Sequence, residues 1–171
     1  MPPERLTPRE AADRIRRRDV VAFGIAPAQP PAFLHALGER DDWKDLTVFA
    51  ALLIDLFPLF ARRGVRLLSG FHGPAERALE KAGHDVEFVP AAFRRWGPLA
   101  RRLSPRVVAT AAGPGLRPGE VSLSLHAGGM VEELRRAGRD PDRLLVVELN
   151  AQLPSTHGVP PEHTHALALD D

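Results

Sequence analysis

Short apolar runs rich in β-branched residues alternate along this chain with stretches of helical character, and that alternation restricts its fold more than any other feature. Runs at 19–24 (Asp19-Val20-Val21-Ala22-Phe23-Gly24), 46–50, 65–68, 86–89, 106–111 and 143–149 are short and mostly apolar, and the last is the most apolar of all. Continuous apolar runs of this length suit strands covered on both faces. Between them stand helical stretches at 7–18, 31–38, 75–82, 91–103 and 128–138. Parallel strands need crossover connections of that size, so the pattern predicts an α/β fold: an open parallel sheet with helices on both faces. Residues 121–125 (Val-Ser-Leu-Ser-Leu) alternate instead, as a half-exposed strand does. Neither an internal repeat nor a low-complexity linker divides the chain, so residues 1–171 are expected to form one domain.

Punctuation residues set the boundaries. Thr7-Pro8-Arg9-Glu10 reads as a capping box, with Thr7 as N-cap and Glu10 reaching back. Pro30-Pro31 and Gly73-Pro74 open two further helices, and Gly83 stands where a left-handed cap would close one. Gly97-Pro98 must bend or split the helix at 91–103. Residues 113–119 (Gly-Pro-Gly-Leu-Arg-Pro-Gly) read as a turn-rich loop.

Composition removes several function classes. The 171 residues are 44% hydrophobic and 26% charged with a net charge of +1, which suits a globular core and gives no general attraction to nucleic acid or membrane. With 21 arginines against 2 lysines, the basic residues fall in short clusters such as Arg94-Arg95 and Arg101-Arg102. These read as solvated helix faces or as grips for the phosphates of a nucleotide-bearing ligand. No cysteine is present, so disulfides, thiolate metal sites and a cysteine nucleophile are excluded. The first residues carry no apolar core of the signal-peptide type, and the apolar stretch 48–61 is broken by Asp55 and Pro58. A cytoplasmic protein is expected.

In sheets of this kind ligands bind beyond the carboxyl ends of the strands. The loops after Gly24, Ala112 and Leu149 are therefore the candidate sites. Neither a phosphate-binding glycine motif nor a Ser/His/Asp arrangement is present. His163 and His165 could share one face of a strand, near His157, but no third metal ligand accompanies them. Glu148 and Asn150 end the last apolar run. They either tie together the turn before Pro154 or place Asn150 in a cleft. His126 either faces that cleft or lies at the surface.

The run Glu148-Leu149-Asn150-Ala151-Gln152-Leu153-Pro154-Ser155-Thr156-His157-Gly158 resembles the end of the first half of acetyl-CoA hydrolase/transferase proteins, the family that includes 4-hydroxybutyrate CoA-transferases. Asp19 to Gly24, Gln29-Pro30 with Phe33-Leu34, Gly70-Phe71 with Gly73-Pro74-Ala75, and 104–112 followed by 119–125 fall in the family's order. The resemblance covers nearly the whole chain but only the first half of the family's length. It implies a CoA-transferase/ribose-5-phosphate isomerase-like fold, with coenzyme A or acyl-CoA as substrate and no metal. It also implies covalent catalysis by a glutamate of the second half attacking the thioester. In that scheme Gly24, Ile25 and Ala26 would form the oxyanion loop through their backbone. Asn150, Pro154, Thr156, Gly158 and Gly73 would line the substrate side. Two departures stand out: Ala26-Pro27 and Ser124 replace glycines or remove a donor in the family's loops. The implied partners are acyl-CoA, a carboxylate, and a second half or subunit that carries the glutamate, in an oligomeric assembly. The alternative is a stand-alone, non-catalytic domain that binds an acyl-CoA or a protein partner.

Overall fold

A computed structural model describes residues 3–115, 117, 119–126, 129–155 and 166–168. In chain order the elements are α1 (Pro8–Asp13), β1 (Arg18–Phe23), α2 (Pro31–Glu39), β2 (Asp45–Ala50), β3 (Val65–Ser69), α3 (Pro74–Lys81) and β4 (Asp85–Phe88). Then follow α4 (Trp96–Leu103), β5 (Val107–Pro114), β6 (Glu120–Ser122), α5 (Val131–Arg139), β7 (Leu144–Leu149) and β8 (Ala166–Ala168). The parallel part of the sheet runs β4-β3-β2-β1-β5, with β7 parallel to β5 on its far side. The expected α/β fold is borne out.

The strands alternate their side chains between two cores. Val21, Phe23, Leu46, Val48, Val65, Leu67, Val107 and Ala109 pack with α1, α2 and Leu79 of α3. Ala22, Phe49, Val108 and Ala112 pack with Trp96 and Ala100 of α4 and with Leu134 and Ala137 of α5. Because successive residues of a strand point to opposite faces, a run that is apolar throughout feeds both layers.

Several boundaries differ from expectation, each for a local reason. Helix α1 ends at Asp13 and not near Arg18, because Arg40 reaches across to donate to the carbonyls of Ala12 (2.6 Å) and Ile15 (2.7 Å), which takes up the end of the helix. The predicted capping box is present. Thr7 Oγ1 accepts from the Glu10 N–H, and Glu10 accepts from Thr7 N–H and hydroxyl, which holds its carboxyl below the usual range. Helix α4 begins at Trp96 after a short 3-10 turn (Phe93–Arg95), so Gly97 and Pro98 lie in its first turn and bend nothing. Proline is tolerated there because its missing N–H has no intrahelical acceptor. Gly97 also lets the backbone of Gly129 approach: a Cβ on it would stand 2.9 Å from the Gly129 carbonyl oxygen.

The alternating run at 121–125 yields only the three-residue β6, and its pairing is antiparallel. Strand β5 continues past Ala111 to Pro114, into the segment expected to be loop, and β6 folds back on that overhang. Strand β8, which the sequence did not suggest, pairs antiparallel with β6. The sheet is thus mostly parallel, with an antiparallel appendage at the end of β5. Gly83 takes φ +83° after α3, the left-handed cap anticipated for it.

One buried ion pair joins the amino ends of the two central strands. Asp19, its side chain 2% exposed, accepts from Nε and Nη2 of Arg106 and from the N–H groups of Arg16 and Val20. Replacing Arg106 by alanine leaves that carboxylate buried without its cation. The Arg106→Ala variant is expected to lose about 3 kcal/mol of stability in urea unfolding. An Arg106→Lys variant, unable to form the fork, is expected to recover part of it.

Candidate functional site

The strand order reverses between β1 and β5. The chain leaves β1 for α2 and β2 on one side, and β5 and β7 stand on the other. Such a switch point opens a crevice beyond the carboxyl ends of the two strands. Here it receives the candidate loop. After Phe23 the chain passes Gly24 and closes a 3-10 turn over Ala26–Ala28. That turn lies directly on Gly24: a Cβ there would stand 2.4 Å from the Ala28 Cβ. The demand for glycine at 24 is therefore steric closeness, not backbone hand. Ala26 has φ +48°, a left-handed conformation that a side chain disfavours. Its N–H is directed at the Ala51 carbonyl at 3.4 Å. From β5, the buried Thr110 hydroxyl lies 3.0 Å from its neighbour's carbonyl at Ala111 and 3.4 Å from that of Ala28.

Three polar side chains hold the loops of this edge together. Gln29, 1% exposed, donates through Nε2 to the carbonyls of Ala51 (3.0 Å) and Leu52 (3.1 Å), and its Oε1 accepts from Ile54 N–H (3.0 Å). Glu76, also 1% exposed, accepts from Gly73 N–H (3.0 Å) and Leu53 N–H (3.4 Å), with Ser69 Oγ at 3.1 Å. Glu148, near the end of β7, turns its carboxylate to the first turn of α2 and accepts from Ala32 N–H (3.2 Å) and Phe33 N–H (2.9 Å). Helix α2 has no side-chain cap of its own, since Pro30 precedes it, so a carboxylate from across the sheet supplies the missing acceptor. These bonds form a continuous belt: β7 to α2, α2's leading residue to the loop after β2, and that loop to the start of α3.

The structure brings some of the sequence candidates together. Gly24, Ile25 and Ala26 follow β1 and lead into the turn whose Ala28 carbonyl lies against the Thr110 hydroxyl. Asn150 follows β7; its N–H donates to Ala112 (2.9 Å), and its Oδ1 accepts from Gln152 N–H (2.9 Å), so it ties the turn as the local reading anticipated. Pro154 accepts from Ser124 Oγ (2.7 Å), and Ser155 Oγ donates to Pro114 (2.7 Å), which draws this turn against β5 and β6. Gly73 stands further off, beyond β3, with its N–H held by Glu76. Thr156 and Gly158, with His157, His163 and His165, lie outside the described residues. His126 is half-buried, its ring 6.2 Å edge-on to Phe93. Sequence reasoning noted Gln29 only as part of the resemblance and not for its bonds, missed Glu76, and did not foresee that Glu148 reaches α2. The signal available was Pro30-Pro31 at a helix start, which lacks a capping side chain.

The edge is also apolar. Among the described residues, the eight large hydrophobic side chains that stand exposed, Ile54, Phe71, Phe93, Leu125 and Leu149 among them, all lie at or beyond the carboxyl ends of strands. Among the described residues no cluster of three or more potential ligands could hold a metal ion, and no helix is long and apolar enough to cross a membrane.

No protein-family model matches the sequence, and no curated protein matches it significantly. Solved structures do match its fold. RipA from Yersinia pestis superposes with a TM-score of 0.79 over 96% of this chain and 40% of its own, at 24% identity. A 4-hydroxybutyrate CoA-transferase from Porphyromonas gingivalis gives 0.60 over 96% of this chain and 36% of its own, at 15% identity. A variant of the decarboxylase AibA/AibB gives 0.51 over 90% of this chain and 80% of its own, at 17% identity. The chain thus has a fold found in CoA-transferases, and it spans about 40% of the length of the RipA chain it matches.

Ser124, like Ala26, is left-handed, with φ +50°. Ala26→Gly and Ser124→Gly remove a strain of about 1–2 kcal/mol against a chain-entropy loss of about 0.5–1 kcal/mol. Each is expected to raise stability by roughly 0.5–1 kcal/mol in chemical unfolding. Gln29→Ala leaves the Leu52 carbonyl and the Ile54 N–H without their partner and the Ala51 carbonyl with only the long bond from Ala26 N–H, and is expected to cost about 2–3 kcal/mol. Faster amide exchange at Leu52–Ile54 in that variant would report the loosened loop.

Proposed function

We propose that this chain is the amino-terminal lobe, or a subunit, of an acyl-CoA:carboxylate CoA-transferase or acetyl-CoA hydrolase. In this reading it supplies the oxyanion side of the site, and the nucleophilic glutamate comes from a second lobe or chain. The observation that carries the reading is the superposition itself. Nearly all of this chain falls on little more than a third of a 4-hydroxybutyrate CoA-transferase. The comparison with AibA/AibB supports a separate subunit, because there the fold occupies 80% of a chain in a protein named for two components.

The chemistry asks little of the lobe's side chains. A carboxylate attacks the thioester carbonyl, coenzyme A leaves as the thiolate, and negative charge develops on the carbonyl oxygen. Backbone N–H groups held rigidly at that oxygen lower the barrier. With the Ala26 N–H directed at Ala51, the donors this reading requires are those of Gly24 and Ile25. The belt of Gln29, Glu76 and Glu148 keeps their loop from moving as charge appears. The exposed apolar rim gives the second lobe a surface to cover, excluding water from the reacting atoms.

The second reading, a non-catalytic acyl-CoA-binding or partner-binding domain, is favoured by the same loop: Ala26 has its N–H engaged and Pro27 has none. A thioester-exchange assay with acetyl-CoA and a panel of carboxylates separates the two. It is run on this chain alone and together with a glutamate-bearing second half. Exchange is expected only in the mixture. Exchange in neither, with no association between the two chains, overturns the subunit reading. Calorimetric titration with acyl-CoAs then tests the binding domain. Glu148→Gln is expected to keep most of the activity of the mixture, because the amide oxygen still accepts from α2. It should cost about 1 kcal/mol of stability. Complete loss of exchange in a folded Glu148→Gln protein would instead make Glu148 the nucleophile.

A further inference from the structure

The parallel sheet has two edges, and they are unlike. At one, β4 is four residues long, Asp85-Val86-Glu87-Phe88, and Asp85 is paired to Arg66 at 3.1 Å. A short, charged edge of this kind resists pairing with another strand. At the other, β7 is six residues long and reads Leu144-Leu145-Val146-Val147-Glu148-Leu149. Its one charge guards nothing, because the Glu148 carboxylate is bound to the N–H groups of α2. Its first five residues are only half-buried and Leu149 is 56% exposed. Among the described residues β7 pairs with β5 and with no strand on its other side.

The register says which backbone groups face outward. Leu144 N–H donates to Arg106 (2.8 Å) and Asn150 N–H to Ala112 (2.9 Å), so the even-numbered residues between them point at β5. In a parallel ladder the intervening residues point the other way. The N–H and C=O groups of Leu145, Val147 and Leu149 therefore stand along the open edge.

We propose that this edge is the dimerisation surface of the chain. The β7 strand of a second copy adds to it antiparallel about a two-fold axis, joining the two sheets into one. The occupant is a second copy because the edge is complementary to itself. A two-fold axis sets two apolar strands of equal length side by side, with no charge facing charge along them. The guarded β4 edge disfavours the head-to-tail alternative, β4 on β7, which would build an open-ended filament. This inference is independent of the CoA chemistry.

Val147→Pro tests it. It removes an outward N–H and spares every bond between β7 and β5, a position where an edge strand tolerates proline. The wild-type chain is expected to sediment as a dimer at high-micromolar concentration. Val147→Pro should weaken association roughly a hundredfold, one hydrogen bond being lost from each copy. Its thermal unfolding should stay close to the wild type. Val146→Pro, which removes an N–H facing β5, should instead lower the melting temperature.

A wild type that stays monomeric at that concentration overturns the proposal. So does a dimer that survives Val147→Pro, or one dissociated by Leu125→Lys on the apolar rim and not by Val147→Pro. If Val147→Pro does not fold, amide exchange on the wild type decides. Concentration-dependent protection of the Leu145 and Val147 amides supports the edge, and unprotected amides at dimer-forming concentration overturn it.

Discussion

The carboxylate of Glu148 at the first turn of α2 is the contact on which the carboxyl edge depends. It joins the last strand of the parallel sheet to the helix that follows the first strand, residues 115 and 116 apart in the chain. It does so across the point where strand order reverses. A switch point is a place where the polypeptide leaves a gap, because the two loops beside it depart in opposite directions. Left alone, α2 would begin with free N–H groups beside that gap. A carboxylate there satisfies two of them and meets the positive end of the helix dipole. The loop 24–29 is consequently pinned at both ends, by β1 before it and by α2 after it. Gln29, the second residue before α2, extends the restraint to the loop after β2.

This arrangement explains why the edge can be both rigid and apolar. Loops crossing a sheet end carry backbone groups that need partners, and water normally supplies them. Here Gln29 and Glu76, both buried, supply five of the contacts from within. The side chains of the same loops are then free to be Leu52, Ile54 and Phe71, facing out. A surface of that composition, held from beneath by hydrogen bonds, suits coverage by another folded lobe better than it suits lasting contact with water. The Trp96 ring belongs to the same design. Stacked on Phe49 at 4.0 Å, it fits because Gly70 and Gly129 offer no side chain on either side.

How much of this was legible in the sequence depended on whether the cause was local. The apolar runs located all six parallel strands: burial on both faces leaves a period-free apolar signature in the inner ones, while β4, exposed at the edge, was marked only by its short β-branched and aromatic run. The caps at Thr7 and Gly83 were legible for the same reason: their partners lie within a few residues. The end of α1 was not, because the residue that takes up its carbonyls is Arg40, a helix and a strand away. Nor was the fold-back of β6, since Val121-Ser122-Leu123 reads equally well as a strand of either direction, and only the overhang of β5 decides. At the site, Gly24 stood out as a strand-end glycine, but its steric reason, the Ala28 methyl group, follows from a turn that composition alone does not reveal. Gln29 entered only as part of the Gln29-Pro30 resemblance; its burial and its bonds to the 51–54 loop have no local signal, because a buried glutamine and an exposed one are the same letter.

Among the described residues four that are not glycine take a positive φ, Ala26, Leu52, Ser104 and Ser124, and two of them fall in the candidate loops. The resemblance implies glycine at Ala26 and Ser124, and both residues take the backbone hand that glycine adopts freely. Their loops are held in shape by their surroundings: the Ala51 carbonyl accepts from Ala26 N–H and from Gln29 Nε2, Thr110 lies against the Ala28 carbonyl, and the Ser124 hydroxyl donates to Pro154. Conformations that cost about a kcal/mol each are thus set by hydrogen bonds from neighbouring elements and not by the residues at the turns themselves.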